Sequence, residues 1–159
     1  GNALADTQVF GKRAGENAAR LALKTELPPI DRKKIEREIK RAKNFLRRKE
    51  GVRPVEIKSR LTSLLWDKVG IFRTGSEIKE AVAEIERIRE KELPRLCVMD
   101  NKTRYNKEWI EALEVENLVT VAEMVAKTAL MREESRGAHY RRDFSKTDNT
   151  NWFLSLIHI

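Results

Sequence analysis

The densest cluster of polar side chains in the sequence lies between Glu134 and Asp143. Within it, Arg136, His139 and Arg141 carry guanidinium and imidazole groups, which are suited to binding an anion or an acidic partner. The same groups can instead join the end of the chain to the rest of the fold through salt bridges, and we favour this second interpretation. The cluster is therefore a candidate site with two alternative roles.

Glu133 and Glu134 are adjacent carboxylates beside this cluster. Neighbouring side chains on a helix diverge by about 100°, so these two groups do not face a common substrate. We predict that they form a solvated helix end, and that Gly137 is placed to stop the helix.

The start of the chain offers a different kind of site. Gly1 and Asn2 precede an alanine-rich stretch that contains Gly11 and Gly15. The first backbone N–H groups of a helix have no acceptor within the helix, and the helix dipole places positive charge at that end. Such an end is suited to an electron-rich acceptor group.

Other catalytic signatures are absent from the sequence. It has no phosphate-binding loop of the Walker type, no metal-binding histidine pair and no complete dinucleotide fingerprint. The single cysteine, Cys97, excludes an internal disulfide and a four-cysteine zinc site. We therefore predict no metal site, and we predict that Cys97 is a small buried apolar group.

The chain carries 33 basic and 25 acidic residues, and much of the excess lies between Asp31 and Arg53. A basic face of this kind could bind RNA or an acidic partner. It lacks interleaved surface aromatic residues, so we favour a solvated face and no nucleic-acid partner. No stretch has the pattern of a membrane span or a signal peptide, which favours a cytoplasmic protein without direct membrane insertion.

The spacing of apolar residues predicts helices as the elements that position these groups. A first helix is expected from Ala3 to Leu23, and Pro28 and Pro29 mark the connector that follows it. Asp31 is the expected N-cap of a second helix. The apolar stripe of that helix consists of Ile35, Ile39, Ala42 and Leu46.

Three further helices are predicted downstream. Pro54 suits the first turn of one, and Thr74 with Glu77 forms a capping-box signature for the next, which Pro94 ends. The longest pattern runs from Asn106 to about Glu134. No segment shows sustained period-two alternation, so the predicted fold class is all-α with little or no strand.

Taken together, three segments resemble a known family. They are Gly1-Asn2-Ala3-Leu4-Ala5-Asp6 with Val9 to Gly15, then Trp66 to Thr74, and finally Glu134 to Phe144. Their order is that of flavoproteins of the succinate dehydrogenase, fumarate reductase and L-aspartate oxidase superfamily. The resemblance implies the C-terminal part of such a flavoprotein, with the FAD-binding and capping domains upstream.

The resemblance also implies a domain organisation. Residues 1–24 would be the last helix of the FAD-binding domain, and residues 25–145 a helical C-terminal domain built as a three-helix, spectrin-repeat-like bundle. Residues 146–159 would form a tail, in which Leu154 to Ile159 match nothing in the family pattern and are interpreted as a segment without functional weight.

Cofactor contacts are implied for Asn2, Ala3 and Leu4, whose family counterparts lie against the flavin of FAD. The family pattern has a serine where this chain has Ala3, so only backbone contacts are expected there. The residues that bind substrate and shuttle protons would lie upstream, and no catalytic residue is expected in this chain. We expect the chain alone to be inactive, with an exposed apolar face near Leu4, Gly11 and Gly15.

The implied function of the parent protein is the interconversion of succinate and fumarate by hydride transfer with FAD. Electrons would pass to an iron–sulfur subunit, at the inner face of a membrane reached through partner subunits. L-Aspartate oxidase and a thiol-linked fumarate reductase are alternatives within the family. A basic helical module that binds RNA or a protein partner is the alternative outside it.

Overall fold

The computed structural model describes residues 3–152, and within this range it contains five α-helices and two strands of two residues each. The helices are α1 (Ala3–Ala22), α2 (Arg32–Asn44), α3 (Pro54–Lys68), α4 (Gly75–Arg87) and α5 (Lys107–Met131), and the strands are β1 (Phe72–Arg73) and β2 (Tyr140–Arg141). The predicted all-α class is confirmed. No helix in this range is long and apolar enough to cross a membrane. The segment from Leu154 to Ile159, which matches nothing in the family pattern, lies outside the described residues.

The chain divides into two compact units, residues 1–37 and residues 38–159. In the first unit, α1 follows the alanine-rich stretch as predicted, and none of its described residues is buried. The chain after α1 is non-helical as far as Asp31, because prolines at positions 28 and 29 cannot continue a helix. Asp31 then caps α2 as predicted, since its Oδ1 accepts a hydrogen bond from the Lys34 amide at 3.1 Å.

The apolar stripe predicted for α2 is covered only at its C-terminal end, where Ala42 is half-buried and Leu46 packs against the core. Ile35 and Ile39 are each 49% exposed, and no residue of α2 is buried. Ten of the thirteen residues of α2 are polar or charged, which leaves too little apolar area to drive burial. The buried residue in this region is Phe45, which lies in a short 3₁₀ turn after α2 and is 3% exposed.

The core of the second unit is a bundle of α3, α4 and α5, in which α5 packs against both other helices. The buried residues of α5 recur three and four positions apart, as a helix with one core-facing stripe requires. They are Ala112, Val115, Val119, Ala122, Ala126 and Ala129. Alanines dominate this stripe, so the neighbouring helices can approach α5 closely. The prediction of a three-helix bundle is confirmed.

Local signals set the starts of the bundle helices as predicted. Pro54 occupies the first turn of α3. Thr74 and Glu77 form the capping box of α4, with the Glu77 amide donating to Thr74 Oγ1 at 3.3 Å and the Thr74 amide donating to Glu77 Oε2 at 2.9 Å. Asn106 caps α5 by accepting a hydrogen bond from the Trp109 amide at 3.0 Å.

The ends of α4 and α5 depart from the sequence pattern. Beyond Arg87 the chain continues as a π-helical turn, Ile88–Glu92, and a 3₁₀ turn, Leu93–Arg95. Pro94 has no N–H group to extend the α-helical ladder, which is consistent with this change of geometry. α5 ends at Met131, three residues before the predicted end, and the chain is extended at Arg132.

Cys97 lies at the edge of the core, as predicted. It is 4% exposed, and its amide donates to the carbonyl of Val52 at 3.0 Å. Burial, followed by the nearby Glu108 and Glu56 carboxylates, raises the pKa of the thiol above its ordinary value. The thiol is therefore a packed apolar group rather than a nucleophile.

Candidate functional site

The start of α1 is the first candidate site from the sequence. Asn2 lies outside the described residues, whereas Ala3 and Leu4 form the first turn, and Leu4 is 73% exposed. The first amides of a helix point out of its N-terminal end, where the dipole favours negative charge. Asp6, also in the first turn, offsets part of that positive end. Contact with an electron-rich group would therefore be made through backbone N–H groups.

The predicted exposure around this helix is observed. Phe10 is 45% exposed, and a Cβ atom added at Gly11 or Gly15 would have no neighbour within 4 Å. The two glycines therefore leave a shallow, open stretch of helix surface.

The second candidate site is the stretch that follows α5, which we call the closing segment (residues 132–148). Its strand β2 pairs in parallel with β1, with Phe72 opposite Tyr140. The Tyr140 amide donates to the carbonyl of Ile71 at 3.0 Å, and the two aromatic rings meet edge to face with centroids 5.4 Å apart. These contacts fix the closing segment against the loop between α3 and α4.

Arg141 is the centre of the closing segment, and its side chain is only 2% exposed. Its Nη1 donates hydrogen bonds to the last carbonyls of α5 and to the first residue beyond it, at distances of 3.1, 3.0 and 3.1 Å. The acceptors are the carbonyl oxygens of Ala129, Leu130 and Arg132. A cation at the C-terminal end of a helix is favourable because it satisfies orphan carbonyls and opposes the dipole. Arg141 therefore ends α5, earlier than the sequence pattern suggested.

Asp143 connects Arg141 to the first residue of α4. Its Oδ2 accepts a hydrogen bond from the Gly75 amide, the first of α4, at 2.9 Å. A Cβ atom at Gly75 would lie 2.9 Å from both Arg141 Nη2 and Asp143 Oδ2, so any larger residue would force this hydrogen-bonded pair to shift. The hydrogen bond from Arg141, supported by the amide of Gly75, holds the pKa of Asp143 well below its usual range.

Glu134 is fully buried, so the prediction that it belongs to a solvated helix end is wrong. The carboxylate accepts hydrogen bonds from Arg136 Nε at 2.9 Å, from Arg132 Nε at 3.0 Å and from the Asp148 amide at 2.8 Å. These bonds, with Arg136 contributing most, outweigh the effect of burial and lower the pKa of Glu134 to about 2. Glu133, its neighbour in sequence, is exposed.

Gly137 also differs from its predicted role as a helix stop. It has φ +58° and lies in a tight turn, in which Arg136 and His139 exchange backbone hydrogen bonds of 2.8 and 3.0 Å. The left-handed conformation favours glycine at this position. The turn brings β2 back towards β1.

The structure therefore separates the three side chains that the sequence grouped. Arg141 is buried against the end of α5, whereas Arg136 and His139 line a cavity of about 480 Å³ together with Arg73 and Arg132. Burial lowers the pKa of His139, whose Nε2 lies 3.2 Å from the Arg132 carbonyl and so donates to it. The favoured interpretation, that the cluster joins the chain end to the bundle, holds for Arg141, but through hydrogen bonds to the carbonyls of α5. The salt bridges of Arg136 and Arg141 go to Glu134 and Asp143 within the closing segment itself.

The two buried charged side chains of the closing segment are both engaged in pairs. The buried carboxylate of Glu134 is held ionised by its guanidinium partners, and the other buried cation, Arg141, is occupied by main-chain carbonyls and Asp143. Across residues 3–152, no group of three or more histidine, cysteine or acidic side chains is placed to hold a metal ion. The contacts of Arg141 and Asp143 connect the closing segment to the end of α5 and to the start of α4.

Comparison with known proteins decides the family. The sequence model of the family described as "Fumarate reductase flavoprotein C-term" matches residues 58–158, which include most of α3 and all of α4, α5 and the closing segment. The chain belongs to the fumarate reductase flavoprotein C-terminal family. The resemblance seen in the sequence is thereby confirmed.

Relatives of this flavoprotein family align with nearly the whole chain. One subunit of the fumarate reductase (CoM/CoB) of Methanothermobacter marburgensis is 41% identical over 157 residues, which cover 99% of this chain and 28% of that protein. The succinate dehydrogenase flavoprotein subunit of Coxiella burnetii is 32% identical over 162 residues, covering 99% of this chain and 27% of that protein. The chain thus spans little more than a quarter of the length of these relatives.

A solved structure of the same family has the same fold. The Mycobacterium smegmatis Sdh1 complex in the apo form contains a chain that superimposes with a TM-score of 0.87 at 32% identity. The superposition covers 96% of this chain and 25% of that one. The helical bundle and the closing segment are therefore the architecture of a flavoprotein C-terminal domain.

Proposed function

We propose that this chain is the C-terminal part of a flavoprotein that interconverts succinate and fumarate by hydride transfer with FAD. The observation that carries the proposal is the family match, together with alignment of 99% of this chain to 28% of a fumarate reductase polypeptide. FAD, when bound, supplies the hydride acceptor and donor for this reaction. The substrate-binding and proton-shuttling residues belong to the upstream part of the parent protein.

The contribution of this chain is structural, with one contact to the cofactor. The first turn of α1 presents the backbone of Ala3 and Leu4, and its dipole favours negative charge on a reduced flavin. Asn2 precedes this turn and completes the set of three proposed contacts. Because Ala3 has no hydroxyl group, the contact relies on N–H groups alone. The bundle and the closing segment support the catalytic part of the parent protein.

The electron partner has two candidates. Relatives named as subunits of succinate dehydrogenase and fumarate reductase support an iron–sulfur subunit, which would hold the protein at the cytoplasmic face of a membrane. The 41% identity to a fumarate reductase named for CoM and CoB supports a thiol donor as the second candidate. The two candidates differ in the reductant that sustains turnover.

The proposal is tested by comparing this chain with a longer polypeptide that carries the upstream reading frame. We expect the longer protein to bind FAD and to reduce fumarate with a reduced viologen dye, and this chain alone to do neither. Activity of the longer protein with a CoM and CoB thiol pair would favour the thiol donor. Stoichiometric flavin retention by this chain alone, or no reaction with fumarate or succinate by the longer protein, would contradict the proposal.

A further inference from the structure

A cavity of about 480 Å³ lies beside the end of α5 and the turn before β2, entirely within the second unit. Its lining combines three guanidinium groups and one imidazole with apolar side chains. The lining residues are Arg73, Val125, Thr128, Ala129, Met131, Arg132, Arg136, His139 and Trp152. A positively charged concave surface with an apolar part is the usual form of a site for an anionic group on an apolar stem.

Arg73 is the residue of this cavity whose charge is not compensated. Within residues 3–152 its side chain makes no ion pair, its buried Nε has no hydrogen-bond acceptor, and its Nη2 reaches only the Ala138 carbonyl at 3.4 Å. Burial, and to a smaller extent the charge of Arg141, lower the pKa of Arg73 below its ordinary value. A partly buried guanidinium without an ion-pair partner is unfavourable, and an external anion would compensate its charge.

The other guanidinium groups of the cavity do not supply that acceptor. Arg132 and Arg136 share the carboxylate of Glu134, and the charge of Asp148 also acts on Arg136, so their own pairs involve these two acids. Arg132 also lies over the ring of Trp152, with 5.7 Å between the guanidinium carbon and the ring centroid. Arg73 is therefore the guanidinium of this lining whose charge these acids leave uncompensated.

We propose that this cavity is a carboxylate-binding site in which Arg73 donates to the bound oxygen atoms. A guanidinium group forms paired hydrogen bonds with a carboxylate, so the terminal nitrogen atoms of Arg73, of which Nη2 reaches only the Ala138 carbonyl at 3.4 Å, are suited to bind the incoming oxygen atoms. Val125, Met131 and Trp152 give the cavity an apolar wall that suits the aliphatic stem of a carboxylate better than a fully hydrated phosphate. The carboxylate can belong to a free acid or to an acidic side chain of another protein.

The test measures the arginine Nε–Hε signals of ¹⁵N-labelled protein by NMR at constant ionic strength. Sodium butyrate is the free carboxylate, and a short peptide with one glutamate between leucines is the protein-borne one, with its glutamine version as the control. We expect a saturable shift of the Arg73 signal with butyrate and little with inorganic phosphate. Tighter binding of the glutamate peptide than of butyrate assigns the site to a protein partner, and equal binding assigns it to a free acid.

Two variants separate binding from folding. Arg73→Gln removes the uncompensated charge, so its Tm without ligand should equal or exceed that of the unchanged protein, whereas butyrate affinity should fall at least about fivefold. Arg104→Gln removes an exposed arginine outside the cavity and should retain full affinity. The proposal is overturned if no saturable shift occurs, if Arg73→Gln binds butyrate unchanged, or if phosphate binds as tightly as butyrate. The experiment needs only this chain, so its outcome is independent of the proposed enzyme function.

Discussion

The guanidinium of Arg141 and the carboxylate of Asp143 form a bidentate ion pair with nitrogen–oxygen distances of 2.8 and 2.7 Å. Arg141 binds the last carbonyls of α5 and Asp143 binds the first amide of α4. One ion pair thus joins the negative end of one helix dipole to the positive end of another.

Arg141→Gln should lower the free energy of unfolding by about 2–4 kcal/mol, because it removes a buried cation that satisfies three carbonyls and an acidic partner. Urea denaturation followed by circular dichroism measures the change. Arg142→Gln alters the exposed neighbouring arginine and should stay within about 0.5 kcal/mol of the unchanged protein. Equal effects of the two substitutions would contradict the role assigned to Arg141.

Gly75→Ala should destabilise the protein by about 1–3 kcal/mol, although alanine is the better helix former. The added Cβ would lie 2.9 Å from both members of the Arg141–Asp143 pair. Gly15→Ala is the matched control, because a Cβ there has no neighbour within 4 Å and the substitution should only increase helicity. Thermal unfolding of both variants distinguishes the two cases. A Gly75→Ala variant as stable as the unchanged protein would contradict the close contact between Gly75 and the Arg141–Asp143 pair.

Glu134→Gln should flatten the dependence of stability on pH between about pH 5 and pH 2. Glu134 has a pKa of about 2 in the folded protein, against an ordinary value of 4.5. Its contribution is therefore fully present above pH 4.5 and is lost as the pH falls towards 2. Urea midpoints measured across this range provide the profile.

Glu133→Gln is the control for this experiment, since Glu133 is the exposed neighbour of Glu134. Its profile should follow that of the unchanged protein, including the part contributed by Asp143, whose pKa is also lowered. Identical pH profiles for Glu133→Gln and Glu134→Gln would contradict the buried ion pairs of Glu134 and support the predicted solvated helix end.

Cys97 should react with iodoacetamide at least about a hundredfold more slowly in the native protein than in urea. Its side chain is 4% exposed, and burial raises the pKa of the thiol, so little thiolate is accessible. Mass spectrometry of the alkylated protein measures the rate at this single cysteine. Labelling at the rate of the unfolded chain would contradict its place at the edge of the core.

The helices of the second unit could be predicted from the sequence because their signals are local. Pro54 and the Thr74–Glu77 capping box each act within one helical turn, and both formed as expected. The helix predicted from Asn106 also begins there, and the structure adds that the Asn106 side chain caps it. The stripe of α2 is covered only at Ala42 and Leu46, and the spacing alone did not indicate that Ile35 and Ile39 would stay exposed.

The closing segment could not be predicted in the same way, because its contacts join distant parts of the chain. The burial of Glu134 depends on Arg132, Arg136 and Asp148, which become neighbours only when the segment folds back. Arg73 reaches the cavity through strand pairing of two residues, which is too short to leave a periodic pattern. The family resemblance pointed to Trp66–Thr74 and Glu134–Phe144, and the structure shows that these two segments pair with each other.

The pairing of β1 with β2 has a kinetic consequence. Phe72 and Tyr140 are separated by the whole of α4 and α5, so their contact closes a long loop. We expect this contact to form only after the bundle has formed. Interactions that form late in folding are absent from the transition state, and they slow unfolding rather than speed folding. We therefore expect the closing segment to affect the unfolding rate of the bundle more than its folding rate.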